Sequence, residues 1–190
     1  MSSKLTLQFI SSGLGLSQSR TLPKIGGDLI VGDLWALILI YKMISILTVC
    51  IGNICRSPMA EAILSAALPD MKVSSAGIGA LVGYPADDMA LQLMAARGLD
   101  LSGHRARQAN RDIVQGADMI LVMDHRQRKH LEEQYPATTG KIFRLCEFSK
   151  SDVPDPYRKT QTAFEDALAL IDEGVGAWVP KIKKIYSPKV

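Results

Sequence analysis

Residues Ile44 to Cys50 form a short, nearly continuous run of apolar and β-branched residues that ends on a thiol and breaks at once into Ile51-Gly52-Asn53-Ile54-Cys55. A run of this length fits a strand buried on both faces, the habit of parallel sheets. Parallel neighbours need crossover connections, usually helices, so the rest of the chain must alternate the two elements. It does. Strand-like runs recur at Lys72 to Ser75, Met119 to Met123 and Lys141 to Leu145. Helix-like runs lie at Pro58 to Leu68, Ala86 to Arg97, Arg126 to Gln134 and Thr162 to Lys183, with a shorter one beginning near Asn110. The expected fold is an α/β three-layer sandwich, a four-stranded parallel sheet flanked by helices with right-handed crossovers. Ligands of such sheets sit at the carboxyl ends of the strands, which directs attention to the residues after Cys50.

Residues 1–42 behave differently: Ser11-Ser12-Gly13 and Gly26-Gly27 interrupt them, and no period persists. The domain is expected to span 43–190, with 1–42 an N-terminal extension, poorly ordered or a start assigned too early. A hairpin from Leu29 to Val31 and Leu34 to Ile40 packed on the core is the alternative. The most apolar stretch, Leu34 to Tyr41, is bounded by Asp33 and Lys42. It falls short of the roughly 20 residues a spanning helix needs, so no membrane insertion is expected. A net charge of +3 without a clustered basic stripe excludes a nucleic-acid footprint. Three cysteines, Cys50, Cys55 and Cys146, suit a reducing compartment, and the cytoplasm is the expected location. A zinc site usually needs a second pair of ligands, and only Cys146 and the scattered His104, His125 and His130 remain; a cysteine-nucleophile mechanism implies neither metal nor organic cofactor.

Between strand and helix the chain reads Val49-Cys50-Ile51-Gly52-Asn53-Ile54-Cys55-Arg56-Ser57-Pro58. Gly52 and Asn53 both tolerate left-handed dihedrals, so the loop can curl with its N–H groups inward. With the helix N-terminus behind it, such a loop is an anion nest whose natural guest is phosphate. Pro58 suits the first helical turn, where no N–H donor is required. A nest, a helix N-terminus and a guanidinium together favour a cysteine thiolate over the thiol. Cys50 is thus expected to attack phosphorus while the planar fork of Arg56 holds the equatorial oxygens. Ser57 is placed to hydrogen-bond the sulfur and ease its departure.

This loop resembles the signature of the low-molecular-weight protein tyrosine phosphatases, and the resemblance extends from Met43 to about Ile185. Asp155-Pro156-Tyr157 is similar to the family's general-acid loop, and Ser75-Ala76-Gly77 and Ser102 to Gln108 also fall where members have similar stretches. By position, Cys50 resembles the nucleophile, Arg56 the phosphate clamp and Asp155 the acid that protonates the leaving oxygen and later activates water. The resemblance implies that Ile51, Gly52, Asn53, Ile54, Cys55 and Ser57 surround the phosphate. It further implies that Asn53, Ser57, Ser75 and His104 support the loop by hydrogen bonds. Cys55 stands where similar enzymes form a reversible disulfide with the nucleophile.

Two related groups differ. Thioredoxin-coupled arsenate reductases need a cysteine pair after the third strand, where this chain has Leu121 to His130 and no cysteine; Cys146 is expected to serve packing. Protein-arginine phosphatases carry Thr at the position of Ile54. An apolar Ile54 with Leu81 and Tyr157 instead makes a deep slot for an aromatic ring. Ala80-Leu81-Val82-Gly83 and Arg158 after Tyr157 resemble the bacterial branch paired with tyrosine kinases of exopolysaccharide and capsule export. The partner this implies is a phosphotyrosine protein, the Tyr-rich cytoplasmic tail of such a kinase. Arginine phosphatase and a phosphotyrosine-binding regulator without turnover are the alternatives.

Overall fold

The computed structural model describes residues 43–186, and the readings made for residues 1–42 lie outside them. In chain order the elements are β1 (Ser45–Cys50), α1 (Arg56–Ala67), β2 (Lys72–Gly77), α2 (Asp88–Ala95), α3 (Arg111–Gly116), β3 (Met119–Val122) and α4 (His125–Gln134). A 3-10 turn (Pro136–Lys141), β4 (Ile142–Arg144) and the long α5 (Gln161–Tyr186) complete them. The strands lie in the order β2-β1-β3-β4 and every pair is parallel. This is the expected sandwich.

The alternation of β1 and β3 shows why both faces are covered. Ile46, Cys50, Met119 and Leu121 join one buried cluster with Met59 and Leu64 of α1 and Phe164, Ile171 and Trp178 of α5. Leu47, Val49, Ile120 and Val122 join the other with Val114 of α3 and Leu131 of α4. Period-two side chains on a strand with two apolar faces demand a helix layer on each side. The chain leaves β1 for β2 on one side of the sheet and returns to β3 on the other. The end of β1 is therefore the topological switch point, the crevice where an open α/β sheet binds ligands.

The element boundaries depart from expectation where packing outweighs propensity. β2 continues beyond Ser75 because Ala76 and Gly77 pair with Val49 and Cys50, although neither residue type favours strands. α1 starts at Arg56, ahead of Pro58. α2 begins later than Ala86, with the Asp87 side chain accepting from Met89 N–H, and ends before Gly98, whose φ of 73° is left-handed. α5 runs through Pro180. Nothing in the local sequence announced the 3-10 turn. Among the described residues no helix is long and apolar enough to cross a membrane.

Candidate active site

The backbone of residues 50–55 is turned inside out relative to a helix or strand. The carbonyls of Cys50, Ile51, Gly52 and Ile54 accept from the N–H groups of Ile78, Gly79, Leu81 and Asp87 at 2.9–3.1 Å. Asn53 O accepts from His104 Nε2 at 2.7 Å, and Cys55 O from Met59 N–H at 3.3 Å. In a trans peptide the carbonyl and the next N–H point in opposite directions, so anchoring the five carbonyls of residues 50–54 outward leaves the following N–H groups facing inward, while Cys55 O makes the first bond of α1. One of them, Asn53 N–H, donates to Cys50 Sγ at 3.3 Å. The N-cap of α1, Cys55, provides no side-chain acceptor, so the first-turn donors of this helix stay uncapped.

Of the two residues able to take left-handed dihedrals, Asn53 does so, at φ 56°, and Gly52 does not. The reason lies in the Asn53 side chain. Nδ2 donates to Ser57 Oγ at 2.9 Å and to Ser75 Oγ at 2.8 Å, while Oδ1 accepts from Arg107 N–H at 2.9 Å. The structure thus brings Asn53, Ser57, Ser75 and His104 into one buried or half-buried cluster. Gly77 allows it to close: a Cβ there would lie 2.3 Å from Ile51 O and 3.0 Å from Asn53 N.

Cys50 Sγ lies 3.0 Å from Ser57 Oγ. Arg56, 2% exposed, sends Nη1 to Val153 O at 3.1 Å and Nη2 to Asp155 Oδ2 at 2.6 Å. Its Nε is buried and has no hydrogen-bond partner among the described residues. Asp155 belongs to a loop held by Val153 N–H on Met123 O at 2.8 Å and by its own carboxylate, which accepts from Tyr157 N–H at 3.2 Å. Nearby, burial raises the Asp152 pKa, but hydrogen bonds and ion pairs with His125 and Arg144 outweigh it and hold the carboxyl below the usual range.

These groups surround a cavity of about 160 Å³ lined by Cys50, Ile51, Gly52, Ile54, Cys55, Arg56, Gly79, Leu81, Asp155 and Tyr157. The three side chains expected to form an aromatic slot, Ile54, Leu81 and Tyr157, all line it. Cys55 is buried and its thiol is pushed up by that burial and by the Asp87 carboxylate. Cys146 is buried well away in sequence, donates to Leu170 O at 3.2 Å, and is pushed up to about 11 by burial. No cluster of three or more His, Cys, Asp or Glu among the described residues is placed to hold a metal ion. An inward ring of N–H donors, a guanidinium and a thiol at the base of a slot with apolar walls can bind a tetrahedral oxyanion carrying a flat apolar substituent.

Three supports were not foreseen. Thr48 Oγ1 donates to Ser57 O at 2.9 Å from inside β1, and a hydroxyl amid an apolar run was the available signal. Arg107 adds Nε to Ser75 O at 2.6 Å, and Gln108 clasps Ala80 N–H and Ile78 O at 2.9 Å each. These last two lie in the Ser102 to Gln108 stretch already singled out, but the stretch did not reveal their partners, which lie far away in the chain.

The model of the family described as low molecular weight phosphotyrosine protein phosphatase matches residues 45–187. The chain is 55% identical over 141 residues to a probable low molecular weight protein-tyrosine-phosphatase, EpsP, of Ralstonia nicotianae, covering 74% of this chain and 97% of that one. Among solved structures it resembles Vibrio vulnificus Wzb in complex with benzylphosphonate, with a TM-score of 0.71 and 39% identity over 73% of this chain and 99% of that one. The arginine phosphatase YwlE of Geobacillus stearothermophilus matches with a TM-score of 0.70 and 29% identity, over 74% of this chain and 94% of that one.

Proposed function

Because the chain belongs to the low molecular weight phosphotyrosine protein phosphatase family and is a protein-tyrosine-phosphatase, we propose that it hydrolyses protein phosphotyrosine through a cysteinyl-phosphate formed on Cys50. The convergence of Cys50, Arg56 and Asp155 on one slot walled by Ile54, Leu81 and Tyr157 carries this reading. The phosphate of the substrate occupies the N–H ring and takes the Arg56 fork, displacing the Asp155 carboxylate from Nη2. Cys50 sulfur, as the thiolate, attacks phosphorus in line with the phenolic oxygen; the S–P bond forms as the P–O bond breaks. Asp155 gives its proton to the departing oxygen. As a carboxylate it then accepts a proton from water, whose oxygen attacks phosphorus and expels the sulfur. Ser57 Oγ, 3.0 Å from that sulfur, stabilises the negative charge it regains.

The physiological substrate we propose is the phosphorylated Tyr-rich tail of a bacterial tyrosine kinase of exopolysaccharide or capsule export, met in the cytoplasm. The motif resemblance around Leu81 and Arg158 supports that choice. Likeness to an arginine phosphatase favours a second reading, against which the apolar Ile54 speaks. The test is steady-state phosphate release from matched phosphotyrosine, phosphoarginine and phosphoserine peptides. Turnover on phosphotyrosine alone is expected. Cys50→Ser abolishes it and Asp155→Asn lowers kcat about 10²- to 10⁴-fold. Preference for phosphoarginine overturns the substrate assignment, and binding without turnover overturns the catalytic one.

A further inference from the structure

Val82 and Tyr84 stand 65% and 62% exposed in the segment that directly follows Leu81, a lining residue of the cavity. Other large exposed hydrophobics among the described residues have plainer settings. Ile51 and Tyr157 line the cavity itself, Phe148 packs on Trp178, and Met43 and Ile185 sit near the ends of the described chain. We infer that Val82 and Tyr84 form a rigid apolar ledge that receives an apolar side chain flanking the phosphotyrosine of the substrate protein. The inference rests on the phosphotyrosine reading above and adds a sequence preference to it.

The ledge is built, not loose. Leu81 N–H donates to Gly52 O at 3.0 Å, which fastens the segment to the phosphate loop. Tyr84 N–H donates back to Leu81 O at 3.0 Å, closing a tight turn whose third residue, Gly83, takes a φ of 82°. The turn is clamped from outside, by Gly83 N–H on Ala106 O and by Ala106 N–H on Tyr84 O, each at 2.8 Å. Pro85 restricts Tyr84 to an extended backbone. Four backbone hydrogen bonds and a proline therefore hold two apolar side chains in water. Displaying them costs hydration free energy that a buried position would recover.

The position decides the occupant. Leu81 lines the cavity and directly precedes Val82, so the ledge continues the wall against which the phosphotyrosine ring lies. A chain that inserts its phosphotyrosine must carry its neighbouring residues past this rim. The groove sharing Ile51, Arg56 and Asp155 with the cavity mixes Ile78, Val153 and Pro154 with the charged or polar Asp124, His125, Arg126 and Asp152, whereas the exposed side chains of Val82 and Tyr84 are apolar or aromatic. Tyr and Val also lose little conformational freedom on contact, and a preorganised surface turns more of its buried area into affinity.

The experiment uses the full chain and a series of phosphotyrosine peptides in which each position within two residues of the phosphotyrosine is Leu, Ser or Asp. Each kcat/KM is divided by the same enzyme's value on p-nitrophenyl phosphate, which has no flanks. Leu at one of these positions is expected to exceed Ser and Asp about tenfold, chiefly through KM. With Val82→Ser and Tyr84→Ser combined, that preference shrinks to about twofold or less. Turnover with no flank preference, or a preference the double variant retains, overturns the ledge while leaving the phosphatase reading intact. No turnover of any phosphotyrosine peptide overturns both. A full-length dimer in sedimentation that the double variant dissociates, without change in peptide preference, assigns the ledge to a second copy and overturns the proposal.

Discussion

Asn53 combines two properties that no other residue type supplies together. Its backbone takes a φ of 56°, which Gly or Asn tolerates, and its side chain makes three hydrogen bonds inside the loop support. Asn53→Ala loses both. Its expected cost is about 2–5 kcal/mol of unfolding free energy, from three bonds and an unfavourable dihedral. Asn53→Gly keeps the dihedral and is expected to cost about 1–2 kcal/mol less. Denaturant titration of both variants measures the difference, and equal losses would contradict this division. The residue types in the loop were legible because their chemistry is local: a thiol, a fork-shaped cation and a flexible Gly-Asn pair at the end of a strand. Which of Gly52 and Asn53 turns left-handed was not legible. That choice depends on Ser75 and Arg107, which reach Asn53 only after β2 and the segment beyond α2 have packed.

At the scale of elements, the site is a joint between the ends of β1 and β2 and the start of α1. Gly77 closes that joint, since a Cβ would press on the backbone oxygen of Ile51 at 2.3 Å, and backbone has little room to yield. Gly77→Ala is expected to destabilise the protein by about 1–3 kcal/mol and to weaken inhibition by inorganic phosphate, because the displaced segment is the anion loop. Thermal melts and phosphate competition measure the two effects, and unchanged phosphate inhibition would contradict the coupling. The strand-like run ended at Ser75 on propensity, whereas pairing with Val49 and Cys50 carries β2 to Gly77. Sheet register outweighs the weak strand preference of Ala and Gly, and a single segment does not reveal register. Helix placement was more legible, because apolar spacing is an intrinsic signal.

The whole molecule brings Arg56 to Val153, 97 positions further along the chain, and with it the Asp155 loop. Its pH dependence also belongs at this scale. Burial pushes the Cys146 thiol up to about 11 and the Cys55 thiol further up. Above the ordinary thiol value of about 8.5 the unfolded chain releases protons that the native state retains, so stability falls as pH rises. Tm is expected to decline progressively from about pH 9 upward, and Cys146→Ala to flatten that decline; identical slopes would contradict the assignment. A chain beginning at Met43 is expected to fold and to keep kcat/KM within about twofold, and failure to fold would show that residues 1–42 belong to the domain. The sequence by itself determined the parallel sheet, the thiol at its switch point and the chemistry of the loop, since strand period, turn residues and functional groups are written along neighbouring positions. Only the tertiary structure decided that five carbonyls of the loop turn outward, that Asp155 rests on the buried Arg56, and that Val82 and Tyr84 are held exposed in the turn after Leu81. Each of these depends on hydrogen bonds or packing between distant segments, whose energies exist only when the whole core has assembled.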